Sequence, residues 1–255
     1  MTLDRQQATR RLLTAEIVIV LLLSLGQSAV YAVVSLIAKL TAGKPLSQQA
    51  AVLNQSQSPR PYLDLTYQLL GIFFALVPVA LALYLLMRDR IDPRRTLGLT
   101  ADRPRFDLSW GALLAAGIGI PGLLLVYAAK VLGLNAQIIP AALQPVWWAV
   151  PVLILSAIEN AVLEEVIVVG YLLTRLRTFN LPVRWMIACS AVLRGSYHLY
   201  QGFGAFVGNA VMGVIFAVFF LRTKRLLPLI IAHSILDIAA FVGYTVLPHS
   251  WLSWL

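Results

Sequence analysis

Cysteine is nearly missing from this chain. Cys189 is the one thiol in 255 residues, which excludes an intrachain disulfide and any metal site built on several thiolates. Charge is scarce too: 12% of the residues are charged, against roughly 25% in an ordinary soluble domain. Acid is scarcer than base, with 11 Asp and Glu facing 20 Lys and Arg for a net charge of +9. Histidine falls to 3, so imidazole chemistry has few positions to draw on. Apolar residues fill the space, at 60% of the chain and a mean hydropathy of +0.82. A soluble domain is ruled out, and a polytopic membrane protein is the class that fits. In a soluble chain the basic excess would point to nucleic acid. Here the cations sit at the ends of apolar segments, so the lipid bilayer is the partner they imply, and nucleic acid is not one.

Windows of about 20 apolar residues, the length that spans a bilayer core, predict an all-α bundle of seven spans. They run roughly over 12–40, 63–87, 108–132, 145–176, 183–200, 203–221 and 226–246. The first exceeds the 7–15 apolar residues of a signal peptide and reads as an uncleaved span. In the fourth, Pro151 marks a break between a short interfacial helix and the span proper. The segment from Thr41 to Pro61 is polar without periodicity and reads as a mobile external loop. The division that follows is N-terminal helices and loops over 1–145, a core over 146–247 and a short outer tail over 248–255.

Charge then orients the chain. Arg5, Arg10, Arg11, the arginines from Arg88 to Arg105, Arg175, Arg177, Arg184, Arg222, Lys224 and Arg225 make fifteen cations on one side. Lys39, Lys44, Arg60 and Lys130 make four on the other. This bias predicts a cytoplasmic N-terminus in a multi-pass protein of the cell membrane. Trp147, Trp148, Trp251 and Trp254 then fall at the outer interface as an aromatic belt, and His249 lies in the outer tail.

Against this background the polar residues inside spans stand out, because each ionisable group at mid-membrane depth costs about 2.5–3.5 kcal/mol on insertion scales. Glu164 and Glu165 are adjacent in the fourth window, with Glu159 and Asn160 just before them. Asn160 and Glu164 are four apart and share a helix face, while Glu165 is rotated by about 100°. The two glutamates therefore cannot do the same job. Arg194 and His198 are four apart on the fifth window, as are His233 and Asp237 on the seventh. Three helices with polar faces bury those faces against one another. Glu16, Asp64 and Asp107 lie near span ends and read as structural or interfacial. Gly204, Gly208 and Gly213 mark close helix packing, and Cys189 reads as inert packing.

Taken in order, these motifs resemble the CAAX protease and bacteriocin-processing family, to which the Ras-converting endoprotease belongs. Its pattern is E-E-x-x-x-R, then F-x-x-x-H, then H-x-x-x-N or D. Glu164-Glu165 matches the first acidic pair, His198 the second motif's histidine, and His233 with Asp237 the third. The stretch 221–228 is similar to the family's inner loop, and the resemblance covers about 151–241. Two positions depart from the pattern: Val169 stands where the first motif has arginine, and Arg194 where the second has an aromatic. One arginine lost and one gained implies a swap in which Arg194 supplies the cation for Glu165.

The resemblance implies an intramembrane endopeptidase acting on a peptide or membrane-protein segment. Glu164 would activate water, and His198 would hold it. His233 and Asp237 would line the oxyanion site, with Asp237 protonated or orienting His233. Glu165, Arg194 and Asn160 would support them. No cofactor is implied. Two histidines and a glutamate are also a zinc-type set, but H-E-x-x-H is absent and the family pattern favours a metal-free, glutamate-dependent mechanism. The alternatives are a catalytically silent scaffold or immunity protein with a membrane-protein partner, and, ranked last, a proton or ion transporter, since the inverted repeats of transporters are missing.

Overall fold

Helix dominates because an apolar segment in lipid must satisfy its own backbone. The computed structural model describes residues 3–248; His249, Trp251 and Trp254 lie outside them, as does nearly all of the outer tail. Helices α1 (Leu3–Leu22) and α2 (Leu25–Leu40) meet at a bend of 57°. Ser24 occupies the bend, its Oγ donating to the Val20 carbonyl at 2.7 Å, with Gly26 just beyond; serine and glycine together are a common cause of kinks. Helices α3 (Pro61–Ala75) and α4 (Val77–Arg88) run on as one apolar unit. Pro78, in the first turn of α4, accounts for the break between them.

The short α5 (Pro93–Thr96) is followed by α6 (Pro104–Val131). The C-terminal half begins with α7 (Ala149–Glu164), which continues through a π-helical segment, Glu165–Tyr171, into α8 (Leu172–Thr178). It ends with α9 (Val183–Ser196), α10 (Phe203–Thr223) and α11 (Leu227–Val246).

The chain is a helical membrane bundle, with one departure from all-α. The segment from Thr41 to Pro61 is not structureless: β1 (Ala50–Gln55) pairs in parallel with β2 (Gln137–Ala142), Val52 opposite Ile139. Neither six-residue strand alternates apolar and polar residues, so period-2 patterning gave no sign of them. Four helical units among the described residues are long and apolar enough to cross a membrane, or five if the bent α1–α2 pair is one span. The windows 145–176 and 183–200 are not among them. The first is one helix from Ala149 to Thr178, unbroken at Pro151, which sits in its first turn where proline is tolerated. It carries Glu159, Glu164, Glu165, Arg175 and Arg177, too much charge for an apolar span. The second holds 14 helical residues, about 21 Å of rise, short of the roughly 30 Å hydrocarbon core.

Other expectations change for reasons of packing. Trp148 is buried, whereas Trp147 is exposed. Asp64 and Asp107 lie in the first turns of α3 and α6 and are buried inside the protein. Asp107 accepts from Arg225 at 2.6 and 2.7 Å, which ties the start of α6 to the α10–α11 turn. Cys189 is exposed. The main core gathers on the π-helical segment, which is buried throughout, so the acidic pair is held at the centre of the bundle.

Candidate active site

Glu164 ends α7 and Glu165 opens the π-helical segment. A π-turn makes i→i+5 bonds and appears mostly as a single-turn bulge near functional sites. The Ser190 hydroxyl of α9 donates to Val168 O, within this segment, at 2.9 Å. Glycines on both helices also let α9 and α10 pack closely. A Cβ on Gly195 would stand 2.8 Å from Phe206, and one on Gly213 would stand 2.9 Å from the Ala191 Cα.

Arg194, with no exposed surface, lies against both glutamates. Its Nη1 donates to Glu164 Oε2 at 3.2 Å and its Nη2 to Glu165 Oε1 at 2.6 Å. The guanidinium also lies 5.3 Å from the Phe216 ring centroid. The two carboxylates, divided by helical rotation in the sequence reading, meet on one cation. They differ in their other contacts. Glu165 is fully buried, and its Oε1 also lies 2.7 Å from His233 Nδ1. Glu164 accepts at Oε2 from the Tyr197 hydroxyl at 2.7 Å. Its Oε1 faces His198 Nε2 at 3.9 Å, and that nitrogen has no hydrogen-bond partner among the described residues.

Beyond the glutamates, His233 Nε2 lies 4.0 Å from Glu164 Oε2 and 3.7 Å from Asp237 Oδ2. Asn160 Nδ2 approaches Asp237 Oδ2 at 3.5 Å. His198 Nδ1 lies 3.4 Å from Gln201 Nε2. All seven residues singled out in the sequence therefore converge: Asn160, Glu164, Glu165, Arg194, His198, His233 and Asp237. Tyr197, Ser190 and Gln201 escaped the sequence reading. A tyrosine beside a histidine is no signal by itself, and nothing in composition marks a serine as the partner of a distant carbonyl.

One oxygen or nitrogen from each of Glu164, Glu165 and His233 could meet at a metal, the three lying within 4.8 Å of one another. Glu165 Oε1 already serves the guanidinium and His233, and Glu164 Oε2 the guanidinium and the phenol, while Glu165 Oε2 has no hydrogen-bond partner among the described residues. Arg194 already brings a positive charge to both carboxylates.

Residues 146–239 match the family model described as type II CAAX prenyl endopeptidase Rce1-like. The match takes in every residue of the cluster, so this part of the chain is similar to that family. No curated protein and no solved structure matches the chain.

Proposed function

We propose that the protein is a glutamate-dependent intramembrane endopeptidase that cleaves a peptide or membrane-protein segment without a metal. One observation carries this reading. Glu164 has one oxygen committed to Arg194 and Tyr197, and the other faces His198 across 3.9 Å, the gap a single water bridges.

In this reading, Glu164 Oε1 takes a proton from that water as it attacks the scissile carbonyl. Gln201 donates to His198 Nδ1, so the neutral ring carries its hydrogen on Nε2 and offers it to the water oxygen. His233, donating through Nδ1 to Glu165, turns Nε2 toward the substrate. Protonated on both nitrogens, it donates to the developing oxyanion. Asp237 lies too close for a free carboxylate to help an oxyanion; it orients His233 or acts as a neutral acid, with Asn160 fixing its position. Glu164 finally returns its proton to the leaving amine. Arg194 and Glu165 hold the acid in place.

Comparison of the membrane proteomes of cells carrying wild-type protein or Glu164→Gln tests the reading. An uncut precursor accumulating with Glu164→Gln supports it. Identical proteomes, with Glu164→Gln still retaining a membrane partner, favour a silent scaffold.

A further inference from the structure

A second acidic place lies outside the catalytic cluster. A groove of about 380 Å³ opens between α3 and α7, lined by Gln57, Tyr67, Gln68, Ser156 and Glu159 among others. Glu159 is only 9% exposed, and its Oε1 has no hydrogen-bond partner among the described residues. Behind the two glutamines stands Asp64, fully buried. Its Oδ1 accepts from the Gln57 amide at 2.7 Å and from Gln68 Nε2 at 3.3 Å, while Oδ2 is unpartnered.

Elsewhere in the molecule a buried acid has its arginine: Asp107 has Arg225, and Glu164 and Glu165 share Arg194. Glu159 and Asp64 have none among the described residues. A desolvated carboxylate without a cation is costly, and Glu159 lines this groove directly, with Asp64 behind the glutamines that line it.

The geometry points to the missing cation. An ammonium or guanidinium carries only donors, and the groove offers acceptors in the Glu159 carboxylate, the Ser156 and Tyr67 hydroxyls and the glutamine carbonyls. Glu159 precedes Glu164 by five residues on α7, about 7.5 Å of helical rise. An extended peptide advances about 3.3 Å per residue, so a side chain two or three residues from a bond held at Glu164 lies level with Glu159 along the helix axis. We propose that this groove is a specificity subsite that seats the basic side chain of a Lys or Arg at that distance from the scissile bond, with Glu159 as its counter-ion. The proposal rests on the protease reading for the position of the bond.

The test uses fluorescently labelled Leu/Ala transmembrane peptides in nanodiscs. Each carries one Lys stepped through successive positions, and each has a norleucine twin. Binding is measured to full-length Glu164→Gln protein, with and without Glu159→Gln, and cleavage of the same peptides by wild type is followed in parallel. At one or two neighbouring positions, the Lys peptide is expected to bind about tenfold tighter than its twin, as a charge-assisted contact allows. Glu159→Gln should erase the difference. Ser156→Arg, which places a guanidinium in the groove, should erase it as well. Twins that bind alike at every position overturn the subsite, as does a Lys advantage that survives both substitutions. A Lys advantage that depends on Glu159, with no cleavage of any peptide by wild type, leaves the cation site standing and removes the protease reading.

Discussion

Arg194 is the residue on which the cluster turns. Removing one partner of a buried ion pair typically costs about 3–5 kcal/mol, because the other charge is left uncompensated. Arg194→Leu strands two carboxylates, so chemical denaturation in detergent should show a loss in that range and activity should vanish. Adding Glu165→Gln removes part of the stranded charge and should recover some of the lost stability, though not the activity. Additive losses in the double variant would contradict the pairing. Asp237 allows a finer test. If it acts as a neutral acid or orients His233, Asp237→Asn preserves its shape and polarity, and cleavage should persist within about tenfold of wild type. Asp237→Leu should be far slower. At this scale the sequence was highly legible: a glutamate or histidine inside an apolar run is conspicuous because it is costly there. Tyr197, Ser190 and Gln201 were not, since a tyrosine, serine or glutamine in such a run is ordinary until its partner is known.

The π-helical segment and α9 form the element that makes the site. Ser190→Ala leaves the Val168 carbonyl without its partner, at a cost of about 0.5–2 kcal/mol. Because that bond ties α9, which carries Arg194, to the segment that carries Glu165, the loss of activity should exceed what the loss of stability explains. Gly195→Ala forces a Cβ to within 2.8 Å of Phe206 and should cost about 1–3 kcal/mol, as over-packing does. Thermal unfolding and turnover of the two variants in detergent check both. None of this geometry is written in hydropathy. A π-turn leaves the apolar pattern intact, and one guanidinium reaches both glutamates through its two Nη groups although they face about 100° apart. The β1–β2 pair was hidden for a related reason: its strands are short and join segments more than eighty residues apart, which local patterning cannot register.

For the whole molecule, the cation bias proposes a cytoplasmic N-terminus, with the β1–β2 end outside. Cys189 is the sole cysteine, so on a Cys189→Ser background an impermeant maleimide should label Gln57→Cys on intact cells and Asp92→Cys only after permeabilisation. The reverse pattern would invert the topology. On the proposed cytoplasmic side, Thr100 and then Arg225 hydrogen-bond Asp102 and hold its carboxyl at about 2, below the ordinary 3.8. A depressed carboxylate contributes stability above its unfolded value and loses it as pH falls through the folded one. Asp102→Asn should therefore lower the thermal midpoint at neutral pH, and its difference from wild type should shrink as pH falls from about 3.8 toward 2. The central claim, that Glu164 activates water for peptide-bond hydrolysis, is tested most directly in H₂¹⁸O with a peptide the wild type cuts. One ¹⁸O should appear in the new C-terminal carboxylate, undiminished by a strong chelator, and Glu164→Gln should yield no product. Product formation by Glu164→Gln at the wild-type rate, or turnover that stops with the chelator and returns with zinc, would contradict it.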